Sequence, residues 1–121
     1  MLEIIDIGIE NAVALRWGGK ITEAEMKSVF SVLKEKIKDY GKISVYQEIE
    51  SIGGVEFEGI VEKLKFLKEF GLSNFSKAVV VTDKKWVKRI AEVEDKIFRK
   101  IDIKCFSTDE KNEAIEFLKN V

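Results

Sequence analysis

The four residues Ala78-Val79-Val80-Val81 constrain the fold of this chain more than any other feature. They form an unbroken apolar, largely β-branched run between Lys77 and Thr82, too short for a core helix and without the polar alternation of a strand with one face in water. A strand of this kind is covered on both faces, as the central strands of parallel sheets are. Parallel neighbours need long crossover connections, so helical segments are expected before and after it.

The remaining sequence supplies them. Thr22 and Glu25 are spaced as a capping box, after which Met26, Val29, Phe30, Leu33, Ile37 and Tyr40 recur at helical spacing until Gly41 gives a C-terminal stop. Upstream, residues 2–8 and 12–18 are short apolar runs separated by the turn signal Glu10-Asn11, the pattern of an antiparallel hairpin. Ile43, Val45 and Ile49 mark a third strand. Phe57, Ile60, Val61, Leu64, Leu67 and Phe70 predict a second helix ending at Gly71, with Phe75 in the loop beyond. Asp83 is placed to cap a third helix carrying Trp86, Val87, Ile90, Ala91, Val93, Ile97 and Phe98. Residues 101–106 read as the last strand, and Ser107 with Glu110 as a second capping box opening a short helix on Ala114, Ile115 and Leu118. The order β-β-α-β-α-β-α-β-α predicts an α/β fold with a single mixed sheet. In it an N-terminal antiparallel hairpin is followed by parallel strands joined by crossover helices. No linker, repeat or low-complexity segment divides residues 1–121, so one domain is expected.

Composition then narrows the chemistry. The 121 residues include no histidine, no proline and a single cysteine, Cys105. Without imidazole there is no Ser-His-Asp or Cys-His pair and no His-ligated zinc. An enzyme would have to rely on carboxylates, lysine or tyrosine, and no acid–base pair of the expected kind stands out, so a non-catalytic protein is expected. Cys105 has no disulfide partner and reads as a small strand hydrophobe. The start carries no basic, apolar leader, and no apolar run nears the roughly 20 residues that span a bilayer, which suits a cytoplasmic protein.

Lysine and arginine number 21 against 22 acids, yet the charges are segregated: residues 43–62 hold no Lys or Arg, while residues 84–104 hold eight bases and four acids. The acidic stretch lacks EF-hand spacing, so no metal is expected. The basic stretch lacks the clustered arginines and interleaved aromatics of nucleic-acid modules, and only three Arg occur in the chain, so no nucleic acid is expected. Gly18-Gly19 and Gly53-Gly54 match neither phosphate-loop pattern, and no cofactor follows from them.

In an open α/β sheet, ligands collect beyond the carboxyl ends of the parallel strands. Here that rule selects residues 48–54, 82–86 and 106–109. Capping and solvation are the first explanation for their hydroxyls and carboxylates. Ser51 is the candidate for phosphorylation. On helix two, Phe66 widens the apolar stripe toward Lys63, Lys65 and Lys68. Residues 56–70 therefore read first as a helix buried on two sides, and otherwise as a lid over an apolar cavity, a membrane-touching face or a homodimer face. The resulting candidate site has Phe66, Phe70 and Trp86 lining it and Asp83 and Glu48 at its polar mouth, with a small lipophilic molecule as its ligand.

The Lys20-Ile21-Thr22 start of helix one behind a glycine, the acidic loop after the third strand, and above all Lys77-Ala78-Val79-Val80-Val81-Thr82-Asp83-Lys84-Lys85-Trp86 resemble the SpoIIAA-like family of small bacterial and archaeal domains. So do the later Ile103-Lys104-Cys105-Phe106 and a final helix bearing Ala114. The resemblance covers essentially the whole chain. The family is related in fold to the STAS anti-sigma-factor antagonists and, more distantly, to CRAL-TRIO lipid carriers. The resemblance implies a ligand-binding or protein-interaction module and not an enzyme. One implied function is binding of lipophilic molecules or a membrane surface; the other is regulation of a protein partner. The antagonists carry a phosphorylated serine at the start of the helix after their third strand. Glu50-Ser51-Ile52-Gly53-Gly54 falls near that position without their Ser-Ser-Gly pattern.

Overall fold

A computed structural model of the protein describes residues 2–18, 22–49, 74–83 and 102–119. The valine run lies in the strand β4 (Phe75–Thr82), where each of Ala78 to Val81 is buried on the sheet interior. Its neighbours are β3 (Ile43–Ile49), all seven residues of which are buried, and β5 (Asp102–Ser107), both parallel to it. β2 (Ala12–Trp17) adds a further parallel strand beside β3, and β1 (Leu2–Ile5) closes that edge antiparallel to β2. The five strands lie side by side in chain order, in a single mixed sheet of the kind the sequence predicts.

One described helix covers each face. α1 (Glu23–Tyr40) packs Val29 and Leu33 against Val13, Leu15, Ile43, Val45, Ala78 and Val80. α2 (Lys111–Lys119) packs Ala114 and Leu118 against Ala14, Tyr46, Val79, Val81 and Phe106 on the opposite face. Alternation along each strand assigns residues to these two cores, and each fully buried Leu or Val contributes about 1.5–3 kcal/mol.

Both capping boxes form. The Thr22 hydroxyl accepts from the Glu25 backbone N–H at 3.1 Å and the Glu25 carboxylate accepts from the Thr22 N–H at 3.0 Å. Glu25 also accepts from the Leu2 N–H at 2.7 Å, tying the start of α1 to β1. These donors, the Thr22 N–H first, hold its carboxyl below the usual range. Gly41, at φ 80°, donates to the Ile37 carbonyl at 2.7 Å and ends the helix. At the second box, Glu110 accepts from the Ser107 N–H at 3.0 Å, but a 3-10 turn, Thr108–Glu110, intervenes before α2.

Four sequence expectations are corrected or bounded. β1 stops at Ile5, short of residue 8, because the Asp6 carboxylate accepts from the Gly8 N–H at 2.8 Å and Gly8 turns the chain at φ 78°. Glu10-Asn11 nevertheless forms the centre of a turn, with Ala12 N–H donating to the Ile9 carbonyl at 3.3 Å. Phe75 opens β4, buried opposite Ile43, and is not a loop residue; its polar neighbours Asn74, Ser76 and Lys77 conceal the strand start. Tyr40 is exposed at the end of α1, with the Lys36 ammonium 5.5 Å from its ring, and takes no part in the core. The helices expected around residues 57–70 and 86–98 lie outside the described residues.

Candidate functional site

β3 carries an unusual pair for a wholly buried strand, Gln47-Glu48, and strand alternation sends the two side chains to opposite faces. On the α1 face, the Trp17 indole N–H donates to the Gln47 side-chain oxygen at 3.1 Å, while the Gln47 amide nitrogen is buried with no hydrogen-bond partner. On the α2 face, Glu48 is 8% exposed and sits in register with Arg16 of β2 on one side and Val81 of β4 on the other.

Both Glu48 oxygens are engaged. Oε2 accepts from Arg16 Nε at 2.9 Å; Oε1 accepts from the Tyr46 hydroxyl at 2.7 Å and has the Lys111 ammonium 3.5 Å away. Tyr46 reaches it because residues two apart on a strand share a face. Burial by itself would raise the Glu48 carboxyl, but the Tyr46 and Arg16 hydrogen bonds and the Lys111 and Arg16 charges outweigh it and hold the group below its usual range. Burial, followed by the hydrogen bond to the Glu48 carboxylate and its charge, pushes the Tyr46 phenol well up. Glu48 is thus a fixed anion and Tyr46 a fixed donor at neutral pH, and neither is poised to exchange a proton. From solvent, Glu3 approaches the outer nitrogen of Arg16 at 3.5 Å.

This cluster floors a cleft of about 430 Å³ beyond the carboxyl ends of β2, β3 and β4. Arg16, Glu48, Ile49, Val81, Asp83, Thr108 and Lys111 line it. The structure therefore brings together two of the residues expected at the site, Glu48 and Asp83, with Thr108 from the third strand-end loop. Phe66, Phe70, Trp86 and Ser51 lie outside the described residues. Arg16, Tyr46 and Lys111 are not among the site residues the sequence predicts. Arg16 is the one cation of the otherwise apolar β2, Tyr46 precedes Glu48 by two, and Lys111 opens a helix at the end where a cation is disfavoured. Each of these is a readable departure from the local pattern.

Among the described residues no cluster of acidic or thiol side chains has metal-site geometry, and no helix is long and apolar enough to cross a membrane. A model of the SpoIIAA-like family matches residues 12–119 of the chain. No curated protein and no solved structure matches it.

Proposed function

The chain belongs to the SpoIIAA-like family, and on that premise we propose that it is a STAS-type regulatory module that acts by binding a protein partner at the carboxyl-end cleft. Domains of this type are generally non-enzymatic regulatory modules. The observation that carries the reading is the state of Glu48: the buried carboxylate in the cleft has both oxygens occupied, so it serves to hold its neighbours in place and not as a base. In the sequence, Ser51 lies three residues beyond Glu48 in an acidic segment, and it is the position we assign to a phospho-switch. Binding of a small lipophilic molecule is the other reading of the sequence. It rests on Phe66, Phe70 and Trp86, outside the described residues, whereas the described cleft wall is largely charged.

Affinity capture with the full chain, followed by crosslinking mass spectrometry, tests the proposal. A defined protein crosslinked beside Lys111, and lost on Ser51→Asp or Lys111→Glu, is the expected result. The same capture profile for wild type and both variants would overturn it, and native mass spectrometry showing a co-purified lipid would turn the reading toward the lipophilic alternative.

A further inference from the structure

We propose that Glu25 seals the outer edge of β1 against pairing with a second copy of the chain. One of its carboxylate oxygens belongs to the cap of α1, and the other occupies the edge N–H at which an added strand would pair. The contact shares no residue with the carboxyl-end cleft.

The two oxygens have separate duties. Oε1 receives both donors of Thr22, the backbone N–H at 3.0 Å and the hydroxyl at 3.1 Å, and so completes the capping box alone. Oε2 takes no part in the cap. It accepts from the Leu2 N–H at 2.7 Å, a length in the range of charge-assisted hydrogen bonds, from a residue 23 positions away in sequence. A capping box needs only one side-chain oxygen, which is why glutamine serves in it as glutamate does. The second oxygen is what calls for glutamate at this position.

Strand geometry gives that oxygen its role. β1 has β2 antiparallel on one side, in the register Leu2↔Trp17 to Ile5↔Ala14, and no described strand on the other. Along such a strand, residues alternate between bonding their neighbour and turning their backbone groups away from it. The Leu2 N–H points at Glu25 and not at β2, so Leu2 and Ile4 are the outward-facing residues of this four-residue strand. An outward row of this kind, with Ile4 49% exposed in it, is a template for another strand. A second copy pairing antiparallel about Ile4 would bring a carbonyl oxygen to the Leu2 N–H and meet the Glu25 carboxylate there instead. Past Ile5, the Asp6 carboxylate accepts from the Gly8 N–H and the chain turns, so the row is not extended. Ile4 alone is left between the two, and a single pairing position does not hold an incoming strand.

Glu25→Gln separates the two duties. Its single oxygen stays with the two Thr22 donors and its amide nitrogen turns toward Leu2, so the edge N–H loses its acceptor while the cap persists. In amide hydrogen exchange of the dilute full chain, Leu2 should exchange roughly tenfold faster than in wild type, the loss expected for a charged hydrogen bond. Sedimentation velocity over a concentration series should show self-association of Glu25→Gln that is absent from wild type, and adding Ile4→Lys to the variant should abolish it. Thr22→Ala, which removes the cap hydroxyl and leaves the Leu2 contact, should sediment as wild type does. Equal sedimentation of wild type and Glu25→Gln, or an unchanged Leu2 exchange rate, would overturn the proposal. So would a self-association of wild type that Ile4→Lys removes, since the edge would then be open. Association of Thr22→Ala to the same extent as Glu25→Gln would also overturn it, by tracing the contact to a loosened α1 and not to the uncovered strand.

Discussion

Glu48→Gln isolates the charge of the buried carboxylate at almost unchanged shape. In the native domain Glu48 is 8% exposed and receives the Arg16 and Tyr46 hydrogen bonds at 2.9 and 2.7 Å. The amide keeps one acceptor, for Tyr46 or Arg16, but turns an N–H toward the other donor and leaves the guanidinium without its counter-charge. Breaking one side of a buried pair costs about 3–5 kcal/mol, and the cleft's access to water places this case near 3 kcal/mol. With an unfolding entropy of roughly 2.1 cal/mol/K per residue, that corresponds to a fall in Tm of about 12 °C for a domain of this length. The sign with pH follows from the native carboxyl being held below the ordinary 4.5. On acidification the unfolded chain takes up this proton first, so the network's contribution is complete above pH 4.5 and is lost as pH falls through the lower native value. Urea unfolding followed by tryptophan fluorescence, with buried Trp17 as one reporter, measures both effects. Wild type should exceed Glu48→Gln by the full margin at pH 7, and the two should converge below pH 4.5. A difference under about 0.5 kcal/mol at pH 7, the scale of an ordinary surface change, would refute the account. So would a gap that stays constant through acid.

Three further outcomes follow from the same geometry. Tyr46→Phe removes the hydroxyl donor to Glu48 and should lower unfolding free energy by about 1.5–3 kcal/mol in urea titrations at pH 7, and by less as pH falls through the lowered native value of Glu48 and the acceptor takes up its proton. Thr22→Ala breaks the capping box of α1 and should cost about 1 kcal/mol, seen as a lower urea midpoint at unchanged slope. Trp17→Phe leaves the Gln47 oxygen unpaired and should destabilise, whereas Trp17→Phe with Gln47→Met removes both partners and the unpartnered amide nitrogen; the double variant should be more stable than the sum of the single changes, read from a double-mutant cycle.

The sheet was legible because its central strands break the alternation rule in a recognisable way. Ala78 to Val81 reads as a strand buried on both sides, and it is one. The caps were legible too, since Thr22 with Glu25 and Ser107 with Glu110 are local patterns whose geometry needs no distant partner. What escaped the sequence was register. The place of Glu48 at a strand end is readable, but apart from Tyr46 its partners are residues 16 and 111, and pairing over such separations depends on how strands and helix align. Phe75 is hard to read as a strand residue for a related reason: its burial is set by Ile43 across the sheet, while its immediate neighbours are polar.

Register also explains why a charged residue occupies the wall of this cleft at all. In β3 the adjacent pair Gln47-Glu48 faces opposite sides, and each finds its partner on β2: Trp17 for Gln47 and Arg16 for Glu48. Slipping β3 by one residue would turn Glu48 into the apolar α1 face and carry Gln47 to Arg16, leaving a charge buried without a counter-ion. The polar pair therefore selects one alignment of two otherwise interchangeable apolar strands. Arg16 and Glu48 are consequently committed to the fold before they are available to any ligand, and substituting either perturbs alignment and cleft together. Lys111 is different. It comes from α2, has a largely solvated side chain, and takes no part in the register. A variant there changes the cleft's charge while the strands keep their pairing, so Lys111 is the residue at which a loss of binding can be separated from a loss of structure.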